Sequence, residues 1–212
     1  MIEAIFLDQD NTLINTREVL HTGVYMAAIK YLAKKLNRDE DDLWIEWRQR
    51  VDENKNSSDP KIKSLEYSLG QLGPKQEDLM EAIRIFEEEL KDKVQLMPGV
   101  NEFLENKIPG VKYILFTEDY PNQMKLKFEK FGYNDKFDLI ISHEDTGKMK
   151  PDISFCKIAW DKFKLNPKNC VYIGDNYEKD CQLGVKNGGK ALVFGQDFSD
   201  FRQLGELLKN WQ

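Results

Sequence analysis

Residues 4–16 read AIFLDQDNTLINT. Four apolar residues stop abruptly at Asp8, Gln9, Asp10, Asn11 and Thr12, the pattern of a buried strand that ends on two carboxylates. Side chains two apart on an extended chain point the same way, so Asp8 and Asp10 face one small volume. Like charges held that close are costly unless a cation or a shared proton relieves them. A cation between them attracts phosphate, and one Asp can then attack phosphorus while the other moves a proton. The competing reading is an acidic turn after an edge strand, and the motif alone is short enough to recur by chance.

Downstream of this strand (residues 2–8) the pattern is helical for some eighty residues. Leu20, Val24, Ala27, Tyr31 and Leu32 keep helical spacing, as do Leu79, Ile83, Phe86 and Leu90. Residues 43–51 suit a second helix. A third is expected to open at Ser58, Asp59 and Pro60, a cap ahead of a first-turn proline, and to close at Gly73–Pro74. Residues 16–93 are therefore expected to form a helical insert.

From Pro98 and Gly99 onward strands and helices alternate. Strands are expected over 111–117, 137–142, 170–175 and 190–194, and helices over 121–132, 152–163, 178–187 and 200–210. That alternation implies right-handed crossovers and a parallel sheet covered by helices on both faces. The fold class expected is α/β, a Rossmann-like parallel sheet built from 1–15 and 94–212, with 16–93 as an inserted helical domain. Such a sheet binds its ligand at the carboxyl ends of the strands, near the point where strand order reverses.

Composition narrows the partners. Of the 212 residues, 41 % are hydrophobic and 32 % charged, and the net charge is −6, which gives no field for nucleic acid or anionic lipid. No run reaches membrane-spanning length and no basic leader precedes a signal-length apolar segment, so a cytoplasmic protein is expected. Cys156, Cys170 and Cys181 lack metal-ligand spacing and read as reduced, packed thiols. His21 and His143 lie far apart and form no zinc pattern; His143 reads as a surface residue.

The chemistry-bearing residues fall at strand ends. Asp8 and Asp10 follow the first strand, Thr117, Glu118 and Asp119 the second, Lys148 and Lys150 the third, and Gly174 and Asp175 the fourth, with Asp180 five residues on. Singly, Thr117 could be a helix cap, Lys150 a solvated cation, and Asp175 with Asp180 an acidic first helical turn. Jointly they meet at one sheet edge, because the parallel-sheet reading places them there independently of any motif.

Their order and spacing resemble the haloacid dehalogenase-like hydrolases, most of which are phosphatases. The matching signatures are Asp8-x-Asp10-x-Thr12, Thr117, Lys150–Pro151–Asp152, and Gly174–Asp175 with Asp180. Asn11 departs from the family's common Gly, and Thr117–Glu118–Asp119 from its common Asn-Gly after the Thr. The resemblance implies Asp8 as nucleophile, forming an aspartyl-phosphate, and Asp10 as the acid that protonates the leaving oxygen and then activates water. It implies Mg²⁺ held by Asp8, the Asp10 backbone carbonyl, Asp175 and water. Thr117, Lys150 and the backbone at Glu118 would bind the phosphoryl group, with Lys150 preferred over Lys148 because Pro151 completes the family triplet. Behind the metal stand Asp180 and Asn176, Asp180 either reaching the metal through water or orienting Lys150. The helical insert resembles the family's small cap, with Arg17, His21, Arg48, Arg50 and Lys55 as candidate substrate contacts.

The activity implied is Mg²⁺-dependent hydrolysis of a small phosphorylated metabolite. A phosphomutase would use the same residues. A 2-haloacid dehalogenase would leave Asp10 and Asp175 without a task, and a receiver-like switch or a non-catalytic phosphoryl-binding module fits less well a capped chain that keeps every motif.

Overall fold

The computed structural model describes the chain except Asn56, Ser58, Pro60, Lys63, Tyr120, Asn210 and Gln212; for His21, Thr22, Pro121, Asn122, Gln123 and Asn134 it describes the backbone alone. The chain forms two compact units, Met1–Arg17 with Gln95–Gln212, and Glu18–Val94.

The first unit is built on five parallel strands: β1 (Ala4–Leu7), β2 (Lys112–Phe116), β3 (Leu139–Ile141), β4 (Cys170–Gly174) and β5 (Lys190–Val193), in the order β3-β2-β1-β4-β5. The most apolar strand sits in the centre. Ala4 pairs with Lys112 on one side and Cys170 on the other, and all four β1 residues are buried. Side chains of successive strand residues go to opposite faces, and helices cover both. On one face Phe6 stacks on Tyr172 at 4.7 Å, among Phe155, Cys156 and Ala159 of the helix Ser154–Phe163. On the other, Tyr113 meets Phe103 of Val100–Glu105, which in turn meets Phe201. Each such large apolar side chain contributes about 1.5–3 kcal/mol by leaving water. The three cysteines are buried and free, as packed thiols should be, and burial pushes each of them up to about 12.

The chain runs outward from β1 to β3, then crosses back to β4 and β5. The order therefore reverses between β1 and β4, whose carboxyl ends carry Asp8 and Asp175. Asp8 still donates its backbone N–H to Ile173 (2.9 Å), which locks the first carboxylate to the adjoining strand.

The second unit is helical. Its principal helices are α2 (Tyr25–Leu36), α3 (Glu40–Asn54), α4 (Leu65–Gly70) and α5 (Gln76–Lys93), preceded by α1 (Thr16–Val19) and a wide turn over Leu20–Val24. Tyr25, Trp47 and Phe86 stack at its centre (4.7 and 5.0 Å), and the Trp47 indole donates to Ser68 (3.1 Å). The helix expected to open at 58–60 starts instead at Leu65, because Ser64 is the residue whose hydroxyl accepts the Tyr67 N–H. Ser58 and Pro60 lie outside the described residues. No helix among the described residues is long and apolar enough to cross a membrane.

Candidate active site

Asp8, at the end of β1, is 5 % exposed. Its Oδ2 accepts from the Thr12 hydroxyl (2.8 Å) and its Oδ1 from Lys150 Nζ (2.5 Å). Thr12 comes into reach because Gln9 carbonyl accepts three N–H groups, from Thr12, Leu13 and Ile14, folding the chain back. Within that turn Asn11 has φ +63°, a left-handed conformation that Gly adopts freely and Asn tolerates. Burial pushes the Asp8 carboxyl up to about 7, against the pull of Lys150.

Lys150 is buried beneath the site, with Nζ 2.6 Å from Asp180 Oδ1 as well. Burial would lower its affinity for a proton, but Asp8 and Asp180 overcome that and hold it charged. Lys148 is exposed, so Lys150 is the lysine turned to the carboxylates. Asp180 accepts from the Asn176 N–H through Oδ2 (3.1 Å). It reaches Lys150 by lying on Gly174, where an added Cβ would stand 2.3 Å from the Asp180 Cβ. The helix expected over 178–187 is accordingly a wide turn, Tyr177–Cys181, with Asn176 capping it through Lys179 N–H, followed by Gln182–Lys186.

Thr117 is buried after β2, its hydroxyl accepting from the Asp119 N–H (3.0 Å), which leaves its own proton to donate. Glu118 side chain offers no donor to a phosphate: it accepts from Lys150 N–H (2.9 Å) and pairs with Lys179 (2.8 Å), so only its backbone N–H could serve. Asp175 pairs with the exposed Arg17 guanidinium (3.0 Å); burial and the Asp180 charge push its carboxyl up, against Arg17.

These residues line a cavity of about 190 Å³. Asp8, Asp10, Glu118, Asp175 and Asp180 face Arg17, Lys150 and Lys179 there, five carboxylates against three cations. A phosphate dianion meets net repulsion in such a lining unless a further cation is bound. Asp8, Asp175 and Asp180 each offer an oxygen, all within 4.8 Å of one another. An all-oxygen donor set suits a hard ion such as Mg²⁺ and disfavours soft metals. The residues present fit the ion.

Four residues of this region escaped sequence reasoning. Lys127, buried on the helix Pro121–Glu129, lies 2.7 Å from Asp10 Oδ1 and 2.8 Å from Asp119 Oδ2. Thr16 also donates to Asp10 Oδ1, and Gln9 Nε2 donates to Asp119 (3.1 Å). Burial raises the Asp10 carboxyl, but Lys127 and Thr16 outweigh it and hold it below the usual range. Asp119 is pushed up by burial, with Lys127 opposing. His143, expected at the surface, is buried instead: its helix, His143–Thr146, starts directly beyond β3, so the ring stays at the sheet edge with Nδ1 3.1 Å from the Asp119 carbonyl. Of the other cations considered as substrate contacts, Arg50 pairs with Glu46 (2.8 Å), Lys55 lies 3.9 Å from Asp52, and Arg48 lies over Trp44 (5.8 Å). The side chain of His21 lies outside the described residues.

Residues 2–188 match the family profile described as haloacid dehalogenase-like hydrolase. The chain belongs to that family. Among its relatives, the glyceraldehyde 3-phosphate phosphatase of Methanocaldococcus jannaschii is 25 % identical, the match covering 99 % of this chain and 98 % of the relative. The N-acylneuraminate-9-phosphatase of Rattus norvegicus is 24 % identical over 91 % and 82 %. Among solved structures, a HAD phosphatase from Thermococcus onnurineus superposes with a TM-score of 0.75 at 18 % identity, covering 98 % of each chain. A 2-haloacid dehalogenase from Pseudomonas syringae pv. Tomato superposes at 0.74 with 21 % identity over the whole of both. This haloacid dehalogenase-like hydrolase thus shares its fold with enzymes of both activities.

Proposed function

We propose that this protein is a Mg²⁺-dependent phosphomonoester hydrolase acting on a small phosphorylated metabolite through an aspartyl-phosphate. The observation that carries the reading is the convergence of Asp8, Asp175 and Asp180 within 4.8 Å of one another, with Lys150 bound to two of them. Dehalogenation would leave that carboxylate cluster, and Asp10, without work. The phosphatase names of the relatives point the same way.

Asp8 attacks phosphorus while the bond to the leaving oxygen breaks, and Asp10, as the acid, gives that oxygen its proton. Asp10 then takes a proton from water, whose oxygen attacks phosphorus and breaks the bond to Asp8, releasing phosphate. Lys150 and the Thr117 hydroxyl hold the phosphoryl oxygens as their charge redistributes. Asp180 keeps the Lys150 ammonium aimed at Asp8. Asp8, Asp175 and the Asp10 carbonyl, with Asp180 alongside, would hold Mg²⁺, which would supply positive charge to offset the carboxylates as a phosphate dianion approaches.

The test is turnover of p-nitrophenyl phosphate with Mg²⁺. Asp8→Asn should lower kcat by at least ~10²-fold in a protein that still folds. Near-normal turnover by that variant would overturn the reading.

A further inference from the structure

Lys127 is a lysine with a side chain only 2 % exposed, lodged between Asp10 and Asp119. A buried ion pair of this kind is weak evidence of stability, since apolar replacements of equal volume commonly do as well. What it supplies is geometry, since its charge favours the ionised form of Asp10 and works against the protonated form that the leaving oxygen draws on. Lys127 Nζ and the Thr16 hydroxyl both donate to the same oxygen of Asp10, Oδ1. That leaves Oδ2 as the oxygen for a transferred proton. Asp119 in turn holds Lys127, and Gln9 Nε2 holds Asp119 at the same Oδ2 that Lys127 uses.

We infer that Lys127, braced by Asp119 and Gln9, is a positioning residue that fixes the Asp10 carboxylate for proton transfer to the leaving oxygen. The inference rests on the phosphatase reading above. Lys127 does not touch substrate; it acts through Asp10. Its loss should therefore matter in proportion to how much help the leaving group needs. A nitrophenolate departs with little protonation, whereas an alkoxide cannot.

The experiment compares kcat and KM for p-nitrophenyl phosphate and for an alkyl phosphate, glycerol 2-phosphate, with Mg²⁺ present, in the parent, Lys127→Met, Asp119→Asn and Asp10→Asn. In Lys127→Met, kcat on the alkyl ester should fall at least ~10-fold more than on the aryl ester, with KM for both little changed. Asp119→Asn, which keeps the shape of the site, should move the same ratio in the same direction by a smaller factor, and it carries the test if Lys127→Met does not fold. An equal loss on both esters in the folded variants, beside a selective loss in Asp10→Asn, overturns the positioning role and leaves the phosphatase reading intact. If Asp10→Asn itself fails to distinguish the esters, the acid role of Asp10 falls, and this inference with it.

Discussion

Lys150 Nζ lies 2.6 Å from Oδ1 of Asp180, and neither side chain keeps appreciable contact with water. The contact depends on Gly174, which does not itself line the cavity. A Cβ on Gly174 would stand 2.3 Å from the Asp180 Cβ and 2.4 Å from its Oδ2. Gly174→Ala is therefore expected to displace Asp180 and leave Lys150 to swing with Asp8. A displacement of about 1 Å at a positioned group can lower turnover ~10²-fold. Asp180→Asn, which keeps the volume, should lose less stability than Gly174→Ala while also lowering kcat. Circular-dichroism melting beside kcat checks this, and a folded Gly174→Ala with full turnover would contradict it.

Metal dependence is expected if the carboxylate cluster of Asp8, Asp175 and Asp180 holds the proposed ion. Asp175→Ala is expected to weaken Mg²⁺ binding and to lower kcat by at least ~10²-fold. Ca²⁺ should bind and inhibit, because its larger, looser shell misplaces the reacting groups. Arg17 competes with a cation for Asp175, through a pair whose arginine side is 68 % exposed. Such pairs contribute about 0–1 kcal/mol, so Arg17→Ala should tighten Mg²⁺ up to ~5-fold by calorimetry. Undiminished turnover in excess chelator would remove the metal from the reaction.

Asp8, Thr117, Lys150 and Asp175 were legible because each ends or follows a strand, and a parallel sheet gathers such residues at one edge. Lys127 was not. It sits in a lysine-rich helix with Lys125 and Lys130, which reads as a solvated face. Yet Met124, Lys127 and Phe128 keep i, i+3, i+4 spacing on one helix, and Lys127 and Phe128 are both buried. A lysine on an apolar stripe was the signal available. Gln9 was equally informative, since a polar residue between two strand-end aspartates has to be satisfied by something distant in sequence. The start of α4 was misread because both 58–60 and Ser64 offer capping chemistry, and only tertiary packing chooses between them. His143 illustrates the same limit: nothing local says that a ring just past a strand will meet the carbonyl of Asp119.

Asp200 carries a pH dependence that lies away from the active site. Hydrogen bonds from the Arg202 side chain and backbone hold its carboxyl at about 2, below its ordinary 3.8. Because the folded value is depressed, the unfolded chain binds more protons between the two. The stabilisation is thus fully present above pH ~4 and is lost as pH falls towards 2. Asp200→Asn should lower the urea midpoint at pH 6 and converge on the parent near pH 2. Gly99, with φ +77° and room for a Cβ only 2.3 Å from Asp200 Oδ1, should be intolerant of Ala for the same contact. A constant midpoint difference between Asp200→Asn and parent across pH 2–6 would count against the assignment.

The last expectation concerns the helical unit, Glu18–Val94. The groups at the sheet edge address a phosphoryl group, which every phosphomonoester shares. Discrimination among metabolites must come from contacts to the rest of the substrate, and deleting the helical unit tests whether it is needed for them. The strand-edge core is prepared for its removal. Asn15 donates its N–H to the Gln95 carbonyl (3.1 Å) and accepts from the Gln95 N–H through Oδ1 (2.8 Å), so the chain leaves and rejoins the core at hydrogen-bonding distance. A short Gly/Ser linker replacing 18–94 can span that gap without strain. The shortened protein is expected to fold, to bind Mg²⁺ and to turn over p-nitrophenyl phosphate. Binding energy from the remote part of a substrate is spent on orienting its reacting phosphate, so kcat for the best metabolite should fall along with a rise in KM. The measurement is kcat/KM for a panel of phosphorylated metabolites in both proteins. A panel whose rank order and spread survive the deletion would move specificity out of the helical unit and onto Arg17, Glu118 and Lys179 at the rim of the cavity.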